Sequence, residues 1–154
     1  MHHTLLRTDD NLEDDEDIKV LFAHVRAATP PSDVDEIDVN IDNSHPFQFN
    51  AENGRVITFM HNGGVVNKVD RELRAELGPE KLQQLQISGN TDSELAGGIL
   101  AEFYNSDENL ENSLISTLER LHAFDTPQDC TCSGSSLNIA VTDGFDFVAS
   151  RYVV

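Results

Sequence analysis

The 154-residue chain carries 28 acidic side chains against 10 Lys and Arg, a formal charge of -18 and an isoelectric point near 4.4. That length suits one domain with a real core, while the charge argues against nucleic acid, since so acidic a surface repels phosphate. No run approaches the ~18 consecutive apolar residues of a membrane span. Met1–Asp10 has neither the apolar core nor the cleavage site of a secretion signal. Two closely spaced cysteines, Cys130 and Cys132, and no glycosylation sequon point to a reducing, cytoplasmic setting.

Residues 9–17 (DDNLEDDED) hold seven carboxylates in nine positions and read as a solvated, flexible stretch. Val20–Arg26 reads as a buried strand, ended by Thr29-Pro30-Pro31. The acidic Ser32–Asn43 reads as an exposed strand or loop. A calcium-loop frame from Asp38 fails, with Asn43 where glycine is needed and Phe49 where the bidentate Glu belongs. After a turn at Asn53-Gly54, Arg55–His61 forms a second strand that runs into an Asn62-Gly63-Gly64 turn. Val66, Val69, Leu73 and Leu77 then mark one face of a helix stopped by Gly78-Pro79. Leu95, Ile99 and Phe103 mark a second helix, and Leu110, Leu114, Leu118 and Leu121 a third. Phe124–Ser135 reads as a polar loop. Two alternating strands, Leu137–Thr142 and Phe145–Tyr152, follow, joined at Asp143-Gly144. The order predicts an α+β fold.

Three clusters carry polar chemistry: His24–Thr29, His61–Gly64 and Gly89–Glu94. Each has an ordinary structural account. Arg26 at a strand end suits a surface ion pair. Asn62-Gly63-Gly64 suits a strand-to-helix turn. Thr91-x-x-Glu94 is a helix capping box, with Asp92 in the first turn where the helix dipole favours it.

Taken together with their neighbours, the clusters resemble the class II (type 2) glutamine amidotransferase domain, of the N-terminal-nucleophile hydrolase fold. The residues in common are Phe22–Thr29, Asn43–Phe47, Phe59–Gly64, Asn90–Glu94, Asn138–Gly144 and Ala149–Tyr152, six blocks in order from about Leu21 to Tyr152. Within that family the likeness is to the amidotransferase subunits of fungal cytosolic glutathione-degrading complexes. The resemblance implies an αββα sandwich and hydrolysis of a γ-glutamyl amide, glutamine or glutathione. It also implies a peptidase subunit as partner, no membrane or nucleic acid, and no metal or cofactor. His24, His45 and His61 match no metal-ligand spacing.

Such a substrate carries an α-carboxylate and an α-ammonium side by side. By resemblance Arg26 takes the carboxylate, for which a planar guanidinium is suited, Asp92 takes the ammonium, and Thr29 lines the strand end. Asn62 and Gly63 correspond to the oxyanion hole, through the Asn amide and the Gly backbone N–H. The family's nucleophile is an N-terminal cysteine whose own amino group is the base, whereas this chain begins Met1-His2. Residues 1–19 are therefore expected to be a flexible segment and 20–154 a partial domain lacking its leading strands and its C-terminal end. Three consequences are expected. The chain as written is inactive in hydrolysis. It is an enzyme whose cysteine segment lies on a separate exon, a binding or regulatory module that retains the glutamyl pocket, or a truncated product. A strand near Val20–Arg26 or Val56–His61 is left with an unpaired edge or bare apolar face.

Overall fold

The computed structural model describes residues 41–65, 67–124 and 135–153. A short 3-10 turn, Ile41–Asn43, leads into strands β1 (Phe47–Asn50) and β2 (Val56–Gly64). Helices α1 (Asn67–Gln84), α2 (Asp92–Asp107) and α3 (Leu110–Phe124) follow, then strands β3 (Ser136–Thr142) and β4 (Phe147–Val153). The strands form one antiparallel sheet in the order β1-β2-β3-β4. The predicted strand at Val20–Arg26, the acidic run and Cys130 and Cys132 lie outside the described residues.

Alternation explains how sheet and helices meet. Phe47 and Phe49, Ile57 and Phe59, and Leu137, Ile139 and Val141 are buried along one face. They form one core with Leu73 of α1, Leu95, Ile99, Leu100 and Tyr104 of α2, and Leu114 and Leu121 of α3. Each such side chain contributes about 1.5–3 kcal/mol of burial. Helix α2 lies against β1 and β2, and α3 lies against α2, β3 and β4. Gly97 permits that approach: a Cβ there would sit 2.6 Å from the Phe49 ring and 3.0 Å from Phe59. The α+β expectation holds, with one helical layer on one antiparallel sheet among the described residues.

Capping sets the helix ends. Thr91 precedes α2 in extended conformation and its hydroxyl accepts from the Glu94 amide at 3.2 Å. At the other end Glu108 turns left-handed and its N–H reaches the Tyr104 carbonyl at 2.7 Å. Asn109 then opens α3, accepting from the Asn112 amide at 2.9 Å.

Several expectations need correction. Phe47–Asn50, to which no element had been assigned, is a strand whose Phe47 and Phe49 both reach the core. The residues read as a turn, Asn62-Gly63-Gly64, continue β2 and pair with Asn138, Leu137 and Ser136. Gly78 (φ 70, ψ 169) does break α1, but Pro79 restarts it as far as Gln84. Strand β2 is no edge, since β1 and β3 flank it. Val56 at its start is exposed, as are Phe145 and Phe147.

The β3–β4 connection is wider than the two-residue turn expected. Asp143 Oδ1 accepts from the amides of Phe145 and Asp146, at 3.0 and 2.8 Å. Its Oδ2 accepts from the Tyr104 hydroxyl at 2.7 Å and from Arg55 at 2.5 Å. The Arg55 guanidinium also lies over the Phe145 ring, 4.4 Å from its centroid. Burial opposes ionisation of Asp143, yet the Asp146 amide, Tyr104, the Phe145 amide and Arg55 together hold its carboxyl down at about 2.

Candidate functional site

The polar motifs converge where β2 ends and α2 begins. Asp92 is the first residue of α2, where a carboxylate meets the positive end of the helix dipole. Its Oδ2 accepts from the Val65 amide at 2.7 Å and its Oδ1 from the Ser93 amide at 2.8 Å. The first of these bonds ties the residue just beyond β2 to the start of α2. A carboxylate has about four acceptor positions, so Asp92 keeps capacity for a further donor such as an ammonium.

The capping box forms only in half. Thr91 holds the Glu94 amide, but the buried Glu94 carboxylate accepts instead from the amides of Ser88 and Gly89, at 2.7 and 2.8 Å. It thereby braces the loop entering the helix. Asn43 completes that brace, its Oδ1 accepting from the Asn90 amide at 3.1 Å. Two motifs 47 residues apart are thus joined directly.

Asn62 lies on the outward face of β2 and is exposed. Asn138, its partner on β3, donates to the Asn62 carbonyl at 2.8 Å. No hydrogen bond engages the Asn62 side-chain amide among the described residues, so it remains available to a ligand. Gly63 has φ 149, and a Cβ there would lie 1.9 Å from the Ser136 carbonyl oxygen. Close approach of β3 therefore demands glycine here. At Gly64 a Cβ would meet only Asp92 Oδ2, at 3.8 Å.

His61 sits among the core-facing residues of β2 and is 2% exposed. Its Nδ1 is 2.9 Å from Ser93 Oγ and its Nε2 2.8 Å from the Ser136 carbonyl oxygen. Arg74 of α1 donates to the Thr91 carbonyl at 2.8 Å and to Asp70 at 3.0 Å, fastening α1 to the start of α2. Burial raises the Asp70 carboxyl; Arg74 works against that and the nearby Asp92 charge adds to it.

The structure therefore brings Asn62, Gly63 and Asp92 to one end of the sheet. Arg26 and Thr29 lie outside the described residues. His61, Ser93, Asn138 and Arg74 were not anticipated as site-forming residues. One signal was readable: a histidine placed in alternation with Ile57 and Phe59 must find buried partners.

Comparison with known proteins bears on this arrangement. The family model described as glutamine amidotransferases class-II matches residues 11–152. The chain is also similar to the protein named "Probable glutamine amidotransferase DUG3" of Saccharomyces cerevisiae, with 28% identity over 152 residues. That match covers 87% of this chain and 39% of the yeast protein, so the chain spans about two fifths of its relative's length. No solved structure matches. No helix among the described residues is long and apolar enough to cross a membrane.

Proposed function

The chain belongs to the class-II glutamine amidotransferases, and from that premise we propose that it supplies the glutamyl-recognition and oxyanion-stabilising part of such a site. The substrate is a γ-glutamyl amide, glutamine or glutathione, whose shared head group is an α-amino acid. Asp92 accepts the α-ammonium, and Arg26 pairs with the α-carboxylate next to Thr29. The Asn62 amide and the Gly63 N–H receive the charge that develops on the γ-carbonyl oxygen when a nucleophile attacks. The observation carrying this reading is the Val65–Asp92 bond, which fastens the Asn62-Gly63 strand end to the carboxylate at the head of α2. The setting proposed is cytoplasmic glutathione catabolism beside a peptidase subunit, within an αββα sandwich of which the described residues form one sheet and one helical layer.

What these residues do is bind and orient. A glutamine held by its head between Arg26 and Asp92 presents its side-chain amide toward Asn62. The oxyanion donors then need no reorganisation as the carbonyl becomes tetrahedral. The family's nucleophile is a cysteine, and the cysteines of these 154 residues are Cys130 and Cys132, so recognition is tested before turnover. Titration of the chain with L-glutamine, followed by NMR, should give saturable shifts around Asp92 and Asn62. Asp92→Asn should weaken binding about tenfold to a hundredfold, the range for a lost hydrogen bond to a charged group. Unchanged affinity in Asp92→Asn sinks the reading.

A further inference from the structure

We infer that Ser93 and His61 are a positioning pair, which sets the distance between the ammonium-binding carboxylate and the oxyanion-binding strand end. The inference rests on the glutamyl-site reading above and adds two residues to it. The chemistry of the partners assigns the hydrogens. A backbone carbonyl only accepts, so the His61 Nε2 facing the Ser136 oxygen carries the proton. In the neutral ring Nδ1 is then an acceptor, and the Ser93 hydroxyl donates to it across 2.9 Å. The same hydroxyl lies 3.3 Å from Asp92 Oδ1. Ser93 has one proton and two candidate acceptors, one belonging to Asp92 and the other to the strand.

The far end of this chain of contacts is Gly63. The Ser136 carbonyl that receives the His61 proton is the atom against which Gly63 packs, and a Cβ on Gly63 would also lie 3.1 Å from His61 Nε2. The line of contact thus runs from Asp92 through Ser93, His61 and the Ser136 carbonyl to the backbone of Gly63. A second tie, Asp92 to the Val65 amide, closes the loop on the other side of Gly64. Neither His61 nor Ser93 touches the ligand. Each is buried, and each acts through a neighbour that does. When an ammonium neutralises Asp92, the carboxylate competes less for the Ser93 proton, and the Ser93–His61 bond shortens onto the strand. Filling the head-group site in this way firms the side-chain-amide site.

This predicts a specific loss in Ser93→Ala. Two probes are compared on the full chain by NMR titration. L-glutamine has both the head group and the side-chain amide. L-norvaline has the same head group and no amide. Asp92 acts on both probes, whereas the positioning pair acts on the preference for glutamine. Ser93→Ala should cut that preference about fivefold to tenfold, the equivalent of one hydrogen bond, while norvaline affinity stays near the parent's. His61→Leu should do the same, and His61→Gln, whose amide can still accept from Ser93 and donate toward Ser136, should recover part of it. The preference is a ratio measured on one sample, so a reduced folded fraction does not move it. Equal weakening of both probes in Ser93→Ala marks a merely structural role and overturns the inference, as does an unchanged preference. Unaltered glutamine binding in Asp92→Asn overturns the underlying site reading instead.

Discussion

Gly63 and Gly64 are adjacent and chemically identical, yet the structure assigns them opposite tolerances. Gly63→Ala places a Cβ 1.9 Å from the Ser136 oxygen at φ 149. Carbon and oxygen ordinarily keep about 3.3 Å between them, so β2 and β3 must part by more than about 1 Å. The positive φ adds about 1–3 kcal/mol for any side-chain-bearing residue. Moving the Ser136 carbonyl also removes the acceptor of the buried His61 Nε2, a further loss of about 1–3 kcal/mol. The sum is about 2–6 kcal/mol, a large share of the roughly 5–15 kcal/mol that holds a domain together. At Gly64 the nearest obstacle is 3.8 Å away and φ is not positive. Gly64→Ala should therefore fall within about 0.5–1 kcal/mol of the parent, helped by a less flexible unfolded chain. Urea unfolding of the three proteins, followed by circular dichroism, measures the contrast. A Gly63→Ala chain within about 1 kcal/mol of the parent would falsify the close-packed account of the strand end.

Two further outcomes follow from the core and the hairpin. Asp143 has a folded pKa of about 2, below the ordinary value near 3.9, so its ionised form stabilises the fold above about pH 4. That contribution, about 2.5 kcal/mol, is lost as pH falls toward 2. The stability gap between parent and Asp143→Asn should close over that window in acid urea titrations, and a gap independent of pH counts against the Arg55–Tyr104–Asp143 cluster. Gly97→Ala should destabilise by about 1–3 kcal/mol, because its Cβ meets the Phe49 ring at 2.6 Å. A second change, Phe49→Leu, should relieve much of that loss, and additive losses would show that α2 does not rest on Phe49.

The elements with strong periods were legible in the residues alone. Leu95, Ile99 and Phe103 announce α2, Leu110 to Leu121 announce α3, and the alternation of Leu137, Ile139 and Val141 announces β3. These signals are local, because one helix turn or one strand repeat suffices to carry them. The chemical types at the site were legible too, as Asn62, Gly63 and Asp92 stood out within short motifs. Their geometry was not. Whether Asn62-Gly63-Gly64 turns or continues β2 depends on a partner strand more than 70 residues away, which supplies the hydrogen bonds that keep it extended. Likewise Phe47–Asn50 is a strand only because β2 pairs with it and α2 covers its two phenylalanines. The half-formed capping box shows the same dependence: the sequence pattern offered Glu94 to Thr91, and the loop amides of Ser88 and Gly89 took it. The resemblance to the class-II amidotransferases singled out Asn62, Gly63 and Asp92, which stand in short local motifs. Tertiary structure alone decided which of them share one end of the sheet, because those contacts are made across strands and between layers, where no local repeat records them.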